Sequence, residues 1–243
     1  VQVFLKILSL LIPPKGQNNF LGISMNIKAC IFDLDGVIVD TAHFHFLAWK
    51  RLAAEWGIEL TPDYNEKLKG VGRMDSLDII LSIGNHSLTA SEKEEAAYRK
   101  NEWYLELVQS IRSDDALPNV VSFLSDLKSQ GYLLAIGSSS KNARPILDRL
   151  CLTDMFNAIV DGNDLSKAKP DPEVFIKAAD QLGIPAENCV VFEDAQSGIQ
   201  AAISAHMKCI GVGNINHLSE ADFVIPSFLD FNADTLKNIL HNK

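Results

Sequence analysis

Asp33-Leu34-Asp35-Gly36-Val37, following the apolar run Ala29-Cys30-Ile31-Phe32, decides how the rest of the chain is read. Four apolar residues without alternation predict a parallel strand buried on both faces. Side chains two apart on a strand share a face, so Asp33 and Asp35 project together from its carboxyl end. Gly36 lets the backbone turn where a Cβ would obstruct it. Adjacent carboxylates repel unless a cation, a shared proton or a reacting phosphate separates them. Such a pair suits phosphoryl chemistry: one carboxylate attacks phosphorus, the other moves a proton, and a hard cation neutralises the charge. The same five residues also describe a solvated acidic turn. The rest of the chain has to choose between the two.

A chain of 243 residues with 47% apolar content can bury a large core, as one domain or two unequal ones. Its net charge of −9 and lack of a basic stripe argue against nucleic acid as a partner. A small phosphorylated substrate stays open, because a few placed cations, a metal and backbone N–H groups suffice to hold it. Cys30, Cys151, Cys189 and Cys209 show no C-x-x-C spacing, which predicts a reduced, cytosolic protein. Residues 1–24 read differently from the remainder. The apolar patch from Phe4 to Ile12, ended by Pro13-Pro14, is too short to span a bilayer and lacks a basic flank or a small-residue cleavage site. Met25 directly precedes the first strand, so residues 1–24 are expected to be a leader or non-native extension, with no membrane association.

Asp40-Thr41 can cap a helix running to Trp56 and ended by Gly57. A polar segment from Thr61 to Lys69 leads to Gly70-Val71-Gly72-Arg73. Helical patterns follow over Asp75–Ile83 and Ser91–Ile111, the second with a Ser91/Glu94 capping box. The absence of strand patterns between Thr41 and Asp115 predicts an all-helical insert. From Leu117 onward helix and strand alternate. Helices are expected over Asn119–Gln130, around Pro145, over Pro172–Leu182 and over Ser197–Ala205. Strands are expected over Tyr132–Gly137, Ala158–Val160, Val190–Phe192, Cys209–Val212 and Phe223–Ile225. This alternation predicts an α/β fold: a Rossmann-like parallel sheet with helices on both faces, carrying a small inserted helical cap. Residues 25–41 and 116–243 form the expected core and 42–115 the cap. In such sheets ligands bind beyond the carboxyl ends of the strands, where Asp33, Ser138 and Glu193 emerge.

Three further marks sit at that edge. Gly137-Ser138-Ser139-Ser140-Lys141-Asn142 places hydroxyls and free N–H groups before a helix, as a phosphate cradle would, although serine is also an ordinary capping residue. In Lys167-Ala168-Lys169-Pro170-Asp171-Pro172 a lysine precedes a proline that opens a helix and can be fixed there, while a solvated surface lysine fits the isolated motif as well. Glu193-Asp194 ends a strand with two acids, a donor set suited to magnesium. No P-loop motif is present.

Together and in this order, the four marks resemble the haloacid dehalogenase superfamily of phosphotransferases, over nearly everything from Met25 onward. The resemblance implies that Asp33 is a nucleophile forming an aspartyl phosphate. It makes Asp35 the general acid/base, and has Ser138 and Lys169 hold the transferring phosphoryl group. Mg²⁺ would be bound by Asp33, Asp35 (through its carbonyl), Glu193 and Asp194. The insert is similar to that of sugar-phosphate mutases within the superfamily, which work through a bound sugar bisphosphate. On that likeness Arg73, Ser140, Lys141 and Asn142 hold the phosphate that is not transferred. Lys69, Gly70, Val71 and Trp49 lie at the sugar, and His45 and Lys100 couple binding to cap closure. On the residues alone, His45 reads as a packed helix histidine and Lys100 as a solvated lysine. Gly72 departs from the more ordinary residue expected there, and Ser139 is also unusual. A mutase has to grip two phosphates at once, which an Arg fork remote from Asp33 would serve. A closed cap would keep water from the aspartyl phosphate. The resemblance also admits a Mg²⁺-dependent sugar-phosphate phosphatase and, less directly, an inactive binding relative. The expected protein is a monomer whose partner is a small sugar phosphate.

Overall fold

The computed structural model describes residues 26–68 and 71–241. The expected leader, Lys69 and Gly70 therefore lie outside the described residues. Six parallel strands form one sheet in the order β3-β2-β1-β4-β5-β6. They are β1 Ala29–Phe32, β2 Leu133–Gly137, β3 Ala158–Val160, β4 Cys189–Glu193, β5 Lys208–Val212 and β6 Phe223–Ile225. The expected α/β fold is what is found. β1 lies between β2 and β4, with Phe32 in register with Ile136 on one side and Phe192 on the other. The strand order reverses at β1, and loops leaving a sheet at such a point diverge and leave a crevice.

Alternation along the strands builds two cores. Cys30, Phe32, Leu134, Ile136, Val190 and Phe192 face one apolar cluster, while Ala29, Ile31, Ala135, Cys189 and Val191 face another. Helices α5 (Val120–Ser129), α6 (Ala143–Arg149) and α9 (Ala233–His241) cover the first face; α7 (Glu173–Leu182) and α8 (Gln196–Ser204) cover the second. Phe123 of α5 is the hub of the first, with ring centroids 6.3 Å from Phe32, 5.5 Å from Phe192, 5.1 Å from Phe228 and 5.4 Å from Phe231. Helix α9 is not among the elements expected from the sequence; Leu236 and Leu240 anchor it in this cluster.

Helices α1 (Ala42–Glu55), α2 (Pro62–Leu68), α3 (Arg73–Ile83) and α4 (Ala90–Val108) make up the insert and share a third cluster around Trp49, Leu52, Leu77 and Ile80. Among the described residues no strand occurs there. The segment expected to be merely polar holds α2, which presents Tyr64 and buried Leu68 to that cluster; two apolar positions are too few to show a period. Helix α4 starts from Thr89, whose capping box uses Glu92 rather than the expected Ser91/Glu94 pair. It ends at Val108 instead of Ile111, because Ser110 and Ile111 bond back to Leu107 and Val108 in tighter, three-residue turns. At α1, Asp40 accepts from the Ala42 N–H at 3.0 Å, whereas the Thr41 side chain does not cap. Val39 bridges Ala116 in antiparallel fashion, and the Leu117 N–H donates to the Ile38 carbonyl at 2.8 Å. The chain thus leaves for the insert and returns from it side by side.

Replacing Phe123 by Ala removes the ring that four other aromatics pack on. It is expected to cost about 3–5 kcal/mol of stability, read as a lowered urea midpoint with little change in slope.

Candidate active site

Asp33 and Asp35 leave the end of β1, Ser138 follows β2, and Glu193 and Asp194 close β4, so the sheet itself assembles the acidic centre. The Asp33 N–H donates to the Phe192 carbonyl at 3.0 Å, extending the ladder by one residue and fixing where its carboxylate starts. Lys169 reaches the same point from the loop before α7, and it is Pro172, not Pro170, that directly precedes that helix. Lys169 is buried, its side chain 1% exposed, and its ammonium donates to Asp33 Oδ1 at 2.5 Å and to Glu193 Oε1 at 3.2 Å. Burial opposes that charge, but the two carboxylates more than offset it and hold the ammonium above its ordinary value. The reading of Lys169 as a solvated surface residue does not survive.

Two glycines make room for the acids. A Cβ on Gly198, in the first turn of α8, would overlap the Glu193 carboxylate; one on Gly36 would overlap that of Asp194, and Gly36 also has φ of +82°. Asp33, Glu193 and Asp194 each bring a ligand oxygen within 4.8 Å of the others. Burial, with the charges of Asp33 and Asp194, pushes the Glu193 carboxyl well above its usual range despite Lys169. An all-oxygen, electron-rich donor set of this kind fits a hard divalent cation.

Asp35 is pushed up to about 7 by burial and by the Asp33 charge, against the opposing pull of Thr41, Lys169 and Lys100. The Thr41 hydroxyl donates to Asp35 Oδ1, a role that its place before α1 disguised as capping. A carboxyl of this kind exchanges protons near neutrality, as acid/base catalysis needs.

These groups line a cavity of about 1020 Å³ that also includes His45, Trp49, Val71 and Arg73. Lys100 is 2% exposed and reaches His45 Nδ1 at 2.8 Å, and its ammonium sits 4.5 Å from the Trp49 ring and 4.9 Å from the Tyr104 ring. The solvated reading of Lys100 is therefore wrong. Burial, reinforced by Arg73, brings this ammonium down to about 7, with Asp35 pulling the other way. Burial and the same two cations hold the His45 imidazole well below its ordinary value, leaving it neutral as an acceptor for Lys100. His45 also stacks on Tyr104 at 4.1 Å. It is packed, as the residues alone suggested, but packed at the cavity wall.

The serine loop forms the opposite bank. Ser138 Oγ accepts from the Ser140 N–H at 3.1 Å, and Ser140 Oγ accepts from the Asn142 N–H at 3.2 Å. Lys141 is exposed at the rim. Arg73 at the start of α3 and Asn142 both donate to Asn101 of α4. Asn101 was not singled out from the sequence, since one amide on a polar helix carries no pattern. Gly72 precedes α3 with an extended ψ of 153°. The cavity thus holds an acidic centre tied to Lys169 and a separate cluster of cationic and amide donors.

Residues 27–206 match the family model described as haloacid dehalogenase-like hydrolase. The chain is 43% identical over 211 residues to a beta-phosphoglucomutase of Bacillus subtilis, covering 86% of this chain and 93% of that protein. It is 32% identical over 186 residues to a phosphorylated carbohydrates phosphatase of Thermotoga maritima, covering 75% of this chain and 83% of the relative. A solved structure of a beta-phosphoglucomutase from Clostridium difficile superposes with a TM-score of 0.85 at 41% identity, covering 88% of this chain and 97% of that one.

Gly198→Ala is expected to displace Glu193 without disturbing the sheet. The divalent-ion concentration giving half-maximal activity should rise by about tenfold or more, while circular dichroism stays unchanged.

Proposed function

The chain belongs to the haloacid dehalogenase-like hydrolase family, and with the cavity in view we propose that it is a β-phosphoglucomutase, interconverting β-D-glucose 1-phosphate and glucose 6-phosphate. One observation carries this reading: a single cavity is lined both by the acidic centre at Asp33 and by the separate donor cluster of Arg73, Ser140, Lys141 and Asn142, which we read as the phosphoryl-transfer centre and a second anion site. A hydrolase acting on a monophosphate would have no need of the second.

In this reading an Asp33 oxygen attacks phosphorus of the bound β-glucose 1,6-bisphosphate, and the ester bond to the sugar oxygen breaks. Asp35 in its acid form gives its proton to that oxygen. In the reverse sense Asp35 takes the proton of a sugar hydroxyl as that oxygen attacks the aspartyl phosphate, which returns Asp33. Sugar rotation between the two half-reactions exchanges which phosphate faces Asp33. Ser138 and Lys169 hold the transferring group, and Lys169 also ties Asp33 to Glu193. His45, Lys100, Trp49 and Val71 border the sugar, as Lys69 and Gly70 are expected to. Magnesium is the ion we assign to Asp33, Glu193, Asp194 and the Asp35 carbonyl, where it would neutralise charge on the phosphoryl oxygens.

Helices α1–α4, over residues 42–115, act as a cap on a core of residues 25–41 and 116–243. The separate apolar cluster of the insert supports this division. Closure would exclude water, the competitor for the aspartyl phosphate. The cytoplasm is the compartment we favour: Cys30, Cys189 and Cys209 are buried free thiols, and burial pushes those of Cys30 and Cys209 well up. Among the described residues no helix is long and apolar enough to cross a membrane. A monomer is the working unit we favour.

Incubation with β-glucose 1-phosphate, Mg²⁺ and a trace of bisphosphate should yield glucose 6-phosphate; glucose and inorganic phosphate instead would favour the phosphatase reading. Asp33→Asn should lower turnover by at least about a thousandfold and abolish covalent labelling, with the fold intact. Raising the pH through about 7 removes the acid form of Asp35 and the charge of Lys100, so kcat/KM for β-glucose 1,6-bisphosphate should fall there. Thr41→Val removes a bond that lowers the Asp35 value, so that fall should move to higher pH.

A further inference from the structure

Arg73 is a half-buried guanidinium whose hydrogen-bond partner is a neutral amide: its Nη2 donates to Asn101 Oδ1 at 2.8 Å. The same oxygen accepts from Asn142 Nδ2 at 2.9 Å. Arg73 can only donate, so the atom facing it must be the carboxamide oxygen. One acceptor therefore fixes, relative to each other, a cation from the helical insert and an amide from the loop after β2. Neither donor is consumed. Arg73 keeps further N–H groups on its fork, and the Asn142 amide keeps a second N–H. A carboxylate at position 101 would have neutralised the guanidinium. The amide orients Arg73 and leaves its charge for an incoming anion. Asn101 also lines the cavity, next in sequence to buried Lys100.

We propose that Asn101 is a positioning residue for the phosphate that is not being transferred: it sets the common aim of Arg73 and Asn142 before substrate arrives. This rests on the mutase reading given above. Ordering a long arginine in advance removes part of the entropic cost of binding from the substrate-binding step. The plainer role for the same contacts is a strap between insert and sheet. The two differ in what a carboxylate would do at position 101. Asn101→Asp keeps the shape and the acceptor, so a strap would hold as well or better. A positioning residue so changed sets a negative charge against the phosphate and cancels that of Arg73.

The test is a comparison of the wild type with Asn101→Ala and Asn101→Asp in the primed assay, with melting curves to verify folding. Asn101→Ala is expected to raise KM for β-glucose 1,6-bisphosphate by about tenfold, with a smaller effect on kcat, and Asn101→Asp to raise it further. A KM within twofold of wild type in both variants, or a wild-type KM in Asn101→Asp alone, overturns the proposal. If the wild type makes no glucose 6-phosphate, the mutase reading fails by itself. Glucose 6-phosphate binding by calorimetry then decides for Asn101: affinity falling from wild type to Ala to Asp upholds the positioning role, and equal affinities overturn it.

Discussion

A buried ammonium holds this molecule's chemistry together. Lys169 sits among the carboxylates of Asp33 and Glu193, which emerge from neighbouring strands β1 and β4. Each of these charges alone would be costly so far from water, and removing one partner from such a group strands the others. The sheet brings the acids together because β1 and β4 are in register, Phe32 beside Phe192, and because the order of strands reverses there. The loop carrying Lys169 then has to reach inward to them. The resulting cluster still carries more negative than positive charge once Asp194 is counted, and so has room for a cation as well as for the lysine.

The second constraint is steric. Gly36 and Gly198 stand where the Asp194 and Glu193 side chains pass, and a methyl group at either position would collide with a carboxylate. Gly36 was read in the sequence as a turn residue, which its positive φ bears out. Its contact with Asp194 is a tertiary fact that no local pattern announces. Gly198 carries no local signal either, for the same reason.

Much of the architecture was legible because the strands are short and continuously apolar, and because the glycines and prolines between them punctuate strongly. β1, β3 and β6 fall where their apolar runs predict. The sequence was less informative wherever two signals overlapped. Thr89/Glu92 and Ser91/Glu94 both spell a capping box, and the structure makes its reciprocal bonds at Thr89 and Glu92. Thr41 precedes a helix, so it looked like a cap, yet its hydroxyl serves Asp35. Lys100 sits on a helix rich in charged residues and is nonetheless almost fully buried, since the histidine and aromatic rings that receive its ammonium come partly from α1. At the acidic centre the motifs pointed to residues that the structure gathers into one place. Asn101 remained invisible because its meaning lies in two donors from distant segments.

The paired crossing at Val39 and Ala116 has a mechanical corollary. Two adjacent segments of chain that meet in one bridge are the place where the insert, read as a cap, would turn, much as a door turns on its hinge. Helix α4 sharpens this, because Tyr104 and Val108 near its end stay rooted in the sheet's own core while Ala96 and Ala97 belong to the insert. Leverage then grows along α4 toward its start. On that reading a small rotation at the pivot would become a large sweep at the rim, along an arc set by the threshold.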